Sequence, residues 1–206
     1  IPTLTRIMPA NPNGHAVLVA AGGGYKHIEL EGEALPAAYW LAARGYTPWI
    51  LSYRLPNEGW HDGNKVALQD ALRALRIIRQ HEKKVSVLGF SAGGHLMGMA
   101  LTRPDFHANP PTDALDNTRV TVDKGALIYP VITLEKPWTH TSTHKILVGP
   151  NATVIEEADW SVQTWVSPRT PPVFLVQAED DPIANPQNTL IMATACQKAG
   201  VPVTQY

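Results

Sequence analysis

Short apolar segments rich in β-branched residues alternate with longer segments of helical periodicity along this sequence. Such alternation is typical of an α/β fold, in which a mostly parallel central sheet is covered by helices on both faces. The predicted strands are residues 16–20, 47–53, 85–88, 125–130, 173–177 and a last one within 201–206. The predicted helices are residues 33–44, 64–81, 92–101 and 186–199.

Two segments lack this regularity. Residues 103–123 are polar and rich in Pro, Asn and Asp, which predicts a long loop. Residues 135–165 are irregular and are expected to form a lid or a wall of a pocket. The 206 residues show no internal repeat and suit a single domain, so residues 1–206 are interpreted as one unit.

Composition excludes several classes of protein. With 17 basic and 18 acidic side chains and no basic stripe, a nucleic-acid partner is not expected. The apolar runs are shorter than the roughly 18 residues that span a bilayer, which predicts a soluble protein without a membrane contact. The single cysteine excludes a disulfide within the chain. The sequence also lacks the H-E-x-x-H pattern that would indicate a metal site. Neither a cytoplasmic nor a secreted location is favoured.

Two ion pairs are expected on the helix predicted at residues 64–81. Arg54 follows a predicted strand and is expected to pair with Asp70 rather than with a substrate carboxylate. Asp70 and Arg73 lie three residues apart, a spacing that places them side by side on a helix surface, so they are also expected to pair.

A serine stands between a predicted strand and a predicted helix, in the segment Gly89-Phe90-Ser91-Ala92-Gly93. G-x-S-x-G in this context is the pattern of a nucleophile elbow, in which a tight turn raises the serine at the sheet edge. The start of the following helix offers free N–H groups near a developing oxyanion. Ser91 is therefore predicted to be a nucleophile and Ala92 an oxyanion donor. The alternative is a glycine-rich turn with a serine that caps the helix.

Three glycines, residues 22–24, follow the first strong predicted strand. Without Cβ atoms they let backbone N–H groups approach a substrate oxygen, which acyl transfer requires. A flexible loop is the alternative, and a phosphate loop is disfavoured because no G-K-[ST] follows. Together with the serine motif, the triplet predicts an oxyanion hole formed by Gly23, Gly24 and Ala92. The residues beside it that are predicted to shape a substrate pocket are Tyr25, His27 and Glu29.

A carboxylate follows the predicted strand at residues 173–177. Catalytic triads on folds with a nucleophile elbow run in the order Ser, acid, His. Asp180 and Asp181 lie where an acid on a loop belongs, and Asp181 is the preferred candidate. An ordinary turn that favours aspartate for local hydrogen bonds is the alternative.

In this order along the chain, AAGGGY, SYRLPNEG, VLGFSAGGHLM, LIYPVITL and FLVQAEDDPIANPQNTL resemble the α/β-hydrolases of the acetyl-xylan-esterase-like, endoxylanase-associated esterase group. The resemblance implies an α/β-hydrolase fold and a serine esterase that needs no cofactor and removes small acyl groups, often acetyl, from carbohydrates. The implied partner is a small ester or an acetylated saccharide. It implies Ser91 as nucleophile, Asp181 as acid and Gly23, Gly24 and Ala92 as oxyanion donors.

The chain departs from the group's pattern at two places. Ala21 stands where the group tends to have proline before the glycines, and Ala184 with Asn185 stands where D-x-x-V-P is usual. Neither departure removes a reacting group, but the second changes the loop that carries the acid.

A catalytic histidine is missing from the place where the group has it. All eight histidines precede Asp181, whereas the group's base follows the acid by roughly thirty residues. We therefore expect the sequence to be a fragment that stops before the catalytic histidine loop. Residues 1–206 alone are expected to hydrolyse p-nitrophenyl acetate only weakly. His95, one helical turn after Ser91, is expected to pack rather than to act as the base.

Two other functions share these sequence features. A prolyl-oligopeptidase-like peptidase uses the same elbow, although no propeller domain or site for a peptide terminus is indicated. A non-catalytic binding module on a hydrolase scaffold is the second alternative.

Overall fold

The computed structural model describes residues 1–107 and 110–206. Seven strands form one sheet in the order β1-β3-β2-β4-β5-β6-β7. They are β1 Thr3–Arg6, β2 His15–Ala20, β3 Thr47–Ser52, β4 Lys84–Phe90, β5 Gly125–Ile128, β6 Val173–Val176 and β7 Val203–Gln205. All neighbouring pairs are parallel except β1 with β3. The predicted α/β class is confirmed.

Six α-helices surround the sheet within the described residues. They are α1 Leu35–Ala42, α2 Val66–Arg79, α3 Ala92–Thr102, α4 Ser142–Leu147, α5 Val154–Asp159 and α6 Gln187–Ala199. Helix α1 packs on one face of the sheet, and α2, α3 and α6 pack on the other, as the two hydrophobic clusters show. The predicted helices on both faces are confirmed.

Alternation along the strands assigns side chains to the two clusters. In β2, Leu18 points to the larger cluster under α2 and α3, whereas Val17 and Val19 point to the smaller one under α1. Leu72 and Leu75 of α2 are almost fully buried in the larger cluster. Burying each such side chain contributes about 1.5–3 kcal/mol. The packing of α2 and α3 therefore fixes the carboxyl end of β4, which Ser91 follows.

Three local features differ from the prediction. The antiparallel strand β1 was not predicted, and a π-helical turn, Leu30–Ala34, occupies the start of the helix predicted at 33–44. The predicted loop 103–123 contains a short 3₁₀-helix, Ala114–Asn117, and two of its residues, 108 and 109, lie outside the described residues.

One of the two expected ion pairs is confirmed. Arg54 contacts Asp70 at 2.7 Å between Nη2 and Oδ1. The expected pair of Asp70 with Arg73 is wrong, since Arg73 binds Asp113 at 2.7 Å and Asp116 at 2.9 Å. The Asp70 carboxylate is buried and accepts hydrogen bonds from both the backbone and the side chain of Arg54, so it is turned away from the helix surface.

The face of the sheet beside α1 carries an apolar groove of about 510 Å³ that runs over β4, β5 and β6. Its lining includes Trp40 of α1, Phe90 of β4, Ile128 of β5 and Phe174 of β6. Among the helices of residues 1–107 and 110–206, none has the length and apolar character that crossing a bilayer requires.

Candidate active site

Ser91 lies at a sharp turn between β4 and α3. Its φ of 52° falls in the left-handed region, which a residue with a side chain rarely adopts. A Cβ atom on Gly89 would lie 2.3 Å from the carbonyl oxygen of Gly93, and one on Gly93 would lie 2.2 Å from that of Ala20. The two outer glycines of the motif are therefore required by packing, because no side chain fits at either position.

The glycine loop packs directly against this serine. A Cβ atom on Gly22 would lie 2.9 Å from the Ser91 Cβ. Gly23, Gly24 and Tyr25 follow with three consecutive positive φ values of 131°, 64° and 61°. In the described part of the chain, the N–H groups of Gly23 and Gly24 and that of Ala92 at the start of α3 have no hydrogen-bond acceptor. These N–H groups remain available to an oxygen bound beside Ser91.

Glu33 anchors the start of the glycine loop. Its Oε1 accepts a hydrogen bond from the Gly22 N–H at 2.7 Å, and its Oε2 accepts one from the Tyr129 hydroxyl at 2.5 Å. Burial and the bond to this carboxylate raise the pKa of Tyr129 above its ordinary value. Glu33 and Tyr129 were not identified from the sequence, since the two partners lie far apart in the chain.

Two further hydrogen bonds hold the loop in place. The Tyr53 hydroxyl donates to the carbonyl oxygen of Ala21, and the Ser142 hydroxyl donates to that of Gly24, both at 2.7 Å. Ser142 begins α4, so the irregular segment 135–165 contributes directly to the site.

Asp181 lies on the loop after β6. Its Oδ1 accepts hydrogen bonds from the backbone N–H groups of Ile183 at 2.8 Å and Ala184 at 3.0 Å, and its Oδ2 accepts one from the Gln177 side chain at 3.0 Å. Ala184 is buried, and its N–H closes this turn. The carboxylate is held by three donors and keeps lone pairs for another partner.

One cavity of about 800 Å³ brings most of the predicted residues together. Its lining includes Gly23, Gly24, His27, Glu29, Ser91 and Asp181. Residues 140–143 form part of its wall, as expected for the irregular segment. Asp180 is exposed and lies outside this lining.

Tyr25 has a different position from the one expected for a pocket residue. Its side chain is 2% exposed and belongs to the core, where its hydroxyl lies 2.8 Å from His95 Nδ1. It supports the loop from below, while His27 and Glu29 lie at the mouth of the cavity, with His27 Nε2 2.5 Å from Glu29 Oε1.

Ser91 Oγ has no hydrogen-bond partner among residues 1–107 and 110–206. His27 and His140 line the cavity, but in that same part of the chain no imidazole hydrogen bonds to Ser91 or Asp181. His95 is fully buried below the loop. Nor do the described residues contain a group of three His, Cys, Asp or Glu side chains arranged to hold a metal ion.

Comparison with known proteins gives relatives over most of the chain. The endo-1,4-beta-xylanase B of Butyrivibrio fibrisolvens is 34% identical over 92% of this chain, and the acetylxylan esterase of Xylanibacter ruminicola is 28% identical over 84%. The chain spans about a third of these curated relatives, 31% and 35% of their lengths.

A solved structure resembles the whole chain. The acetyl ester-xyloside bifunctional hydrolase from Caldicellulosiruptor lactoaceticus superimposes with a TM-score of 0.85 and 32% identity, covering 100% of this chain and 76% of that one. The α/β-hydrolase fold is thereby confirmed, as is the resemblance to acetyl-xylan-esterase-like hydrolases. A family model described as BD-FAE matches residues 7–195. With this match and these relatives, the chain belongs to the BD-FAE family of α/β-hydrolases.

Proposed function

We propose that this protein is a serine esterase that removes small acyl groups, acetyl above all, from carbohydrates. The observation that carries the proposal is the common cavity of Ser91, the glycine loop and Asp181. Ser91, whose hydroxyl has no partner in the described residues, lines it together with Gly23 and Gly24, whose backbone N–H groups are free of intramolecular acceptors. That combination suits attack on a carbonyl carbon whose oxygen becomes negatively charged.

In the proposed reaction, Ser91 Oγ attacks the ester carbonyl and its proton passes to a histidine base. The N–H groups of Gly23, Gly24 and Ala92 stabilise the oxyanion of the tetrahedral intermediate. The histidine then protonates the leaving alcohol, which leaves an acyl group on Ser91. Water, deprotonated by the same base, releases the acid and restores the serine.

Asp181 orients this base in the proposal. Its carboxylate is already held by Gln177, Ile183 and Ala184, so its direction is fixed before an imidazole binds. The base proposed here is a histidine outside residues 1–206, following the acid in the order implied by the resemblance.

The proposed substrate follows from the relatives and from the rim of the cavity. Two relatives are described as an acetylxylan esterase and an acetyl ester-xyloside hydrolase. His27, Glu29 and His140 line the same cavity as Ser91 and offer hydrogen-bonding groups to the hydroxyls of a sugar.

The test compares Ser91→Ala and Asp181→Asn with the parent on p-nitrophenyl acetate and an acetylated xylo-oligosaccharide. The proteins are made from the full reading frame of the gene and, separately, as residues 1–206. In the protein made from the full reading frame, we expect Ser91→Ala to lower kcat by about 10⁴-fold or more, and Asp181→Asn by about 10³–10⁴-fold. Asp180→Asn, the matched control outside the cavity, should keep the parent rate.

The proposal fails if the Ser91→Ala protein hydrolyses the acetylated sugar as fast as the parent. A peptide anilide cleaved faster than the acetylated sugar would instead indicate a peptidase. Labelling of Ser91 by a fluorophosphonate in the longer protein but not in residues 1–206 would support the outside histidine. Equal rapid labelling of both would contradict it.

A further inference from the structure

A buried histidine connects the nucleophile helix to the glycine loop. His95 lies in α3, one turn after Ser91, and is completely buried. One ring nitrogen, Nδ1, lies 2.8 Å from the Tyr25 hydroxyl, and the other, Nε2, lies 2.7 Å from the carbonyl oxygen of Trp160 at the end of α5. Three separate segments of the chain therefore meet at one imidazole.

The chemistry of the partners determines where the protons lie. A carbonyl oxygen can only accept, so Nε2 carries the proton and donates it to Trp160. Burial lowers the pKa of His95 to about 4, which keeps the ring neutral and leaves Nδ1 as an acceptor. The Tyr25 hydroxyl must then donate to Nδ1. All the polar ring atoms of His95 are satisfied, and the bond has a fixed direction.

Tyr25 needs such support because its backbone is strained. Its φ of 61° lies in the left-handed region, directly after Gly23 and Gly24. Its ring packs edge-on against both His95 and Tyr53, at centroid distances of 5.7 Å and 6.0 Å. An aromatic ring held by this packing and by its hydroxyl restrains the backbone of Tyr25, which belongs to the loop that carries the free N–H groups.

We propose that His95 is a positioning residue of the oxyanion hole, acting through Tyr25 on the N–H groups of Gly23 and Gly24. The inference rests on the proposed function, since it assigns these N–H groups to the transition state. His95 touches neither the cavity nor Ser91 Oγ, so its effect reaches the substrate only through the loop. Since Ser91 directly precedes α3 and His95 lies in its first turn, the nucleophile and its oxyanion donors are held in one fixed relation.

A matched pair of substitutions separates positioning from packing. The amide of His95→Asn lies near the place of Nδ1, and its oxygen can accept the Tyr25 hydroxyl while the bond to Trp160 is lost. The amide of His95→Gln reaches toward Trp160, and the bond from Tyr25 is lost. Each variant loses one buried hydrogen bond, so their Tm values should fall by similar amounts.

The expected result is a difference in kcat. His95→Gln and Tyr25→Phe should lower kcat by about tenfold to a hundredfold with KM changed less than about twofold, because the lost interaction acts in the transition state. His95→Asn should stay within about threefold of the parent. Equal kcat values for the Asn and Gln variants, or a Tyr25→Phe protein as fast as the parent, would overturn the inference.

Ser91→Ala, measured in the same full-reading-frame protein, keeps the two proposals apart. If hydrolysis depends on Ser91 but not on the Tyr25 hydroxyl, the positioning role is wrong and the esterase proposal stands. If hydrolysis does not depend on Ser91, the esterase proposal fails.

A spectroscopic measurement tests the bond without relying on the folding of any variant. In ¹⁵N-labelled parent protein, the His95 ring should show a protonated Nε2 and an unprotonated Nδ1, unchanged between about pH 5.5 and 8. A ring that carries its proton on Nδ1, or that titrates in this interval, would contradict the proposed direction of the Tyr25 bond.

Discussion

Gly23, Gly24 and Tyr25 form a turn in which residue type and backbone angle depend on one another. A left-handed backbone costs a residue with a side chain about 1–2 kcal/mol, and glycine is free of that cost. Tyr25 bears it at a φ of 61° and regains stability from burial and from its bond to His95. The two glycines carry the N–H groups, whereas the tyrosine holds them in position.

Gly23→Ala should damage the site more than the fold. An added Cβ would lie 2.1 Å from the backbone carbonyl oxygen of His27, so the loop must move. We expect kcat to fall by about a hundredfold or more, since one misplaced oxyanion donor has an effect of that size. Steady-state kinetics on p-nitrophenyl acetate measure this change.

Gly200→Ala is the matched control for this substitution. Gly200 also has a positive φ, 75°, but its Cβ would meet no atom within 4 Å. Gly200→Ala should lose about 1–2 kcal/mol of unfolding free energy and keep the parent activity, whereas Gly23→Ala should lose activity as well. Comparable kcat values in the two variants would contradict a role for the Gly23 position in the reaction.

Sequence predicts the residues that line the cavity better than the residues that support them. Ser91 and the glycine loop have local signals, because a strand, a tight turn and a helix follow one another within a few residues. Glu33 and Tyr129 are 96 residues apart, and nothing near either one shows that they share a hydrogen bond. Tyr25 was expected in the pocket because it adjoins the glycines, but its left-handed backbone directs the ring into the core.

At the scale of elements, periodicity predicts what is buried. The helix predicted at 64–81 and observed as α2 has a clear apolar side, and β2 is buried on both faces. Strand β1 has four residues that are mostly exposed, so no apolar pattern marks it, and its pairing with β3 depends on the edge of the sheet being in place. Its absence from the prediction follows from that exposure.

The ion pair between Arg73 of α2 and Asp116 of the 3₁₀-helix Ala114–Asn117 makes a pH-dependent contribution to stability. The side chain and backbone N–H of Thr112, together with Arg73, bind the Asp116 carboxylate and lower its pKa from 3.8 to about 2. A depressed pKa means that this contribution is present above pH 3.8 and is lost as the pH falls toward 2.

Asp116→Asn should therefore destabilise the protein near neutral pH and not in strong acid. Because the carboxylate is partly exposed, we expect a loss of about 1 kcal/mol or less at about pH 7, or a few degrees in Tm. The difference from the parent should shrink between about pH 4 and 2, as thermal unfolding at several pH values would show. Asp105→Asn, which removes an exposed carboxylate of the adjoining segment, should leave the Tm at about pH 7 close to that of the parent.

For the molecule as a whole, the two faces of the sheet are covered unequally. Three helices cover one face, and within the described residues α1 is the helix packed on the other. Parallel strands are normally buried on both sides, and their side chains are apolar on both sides for that reason. In β6, Leu175 on the covered face is fully buried, whereas Phe174 on the α1 side is 39% exposed.

This exposed apolar groove should make residues 1–206 bind an apolar anionic dye. The groove of about 510 Å³ is lined by Phe174, Phe90 and Ile128, and Lys124 at its edge offers a positive charge to a sulfonate. We expect anilinonaphthalene sulfonate to fluoresce on binding, and Phe174→Thr to weaken that binding about threefold or more, because the ring supplies much of the apolar contact. Threonine keeps the strand propensity of position 174, so the Tm should change little.

Val154→Thr, which alters an exposed apolar residue of α5 outside the groove, should leave dye binding unchanged. Dye fluorescence that is equally strong in Phe174→Thr and in the parent would place the bound dye elsewhere on the molecule. It would then follow that the apolar side chains of β4, β5 and β6 on this face are covered in solution, since an open groove of this size and composition binds such a probe.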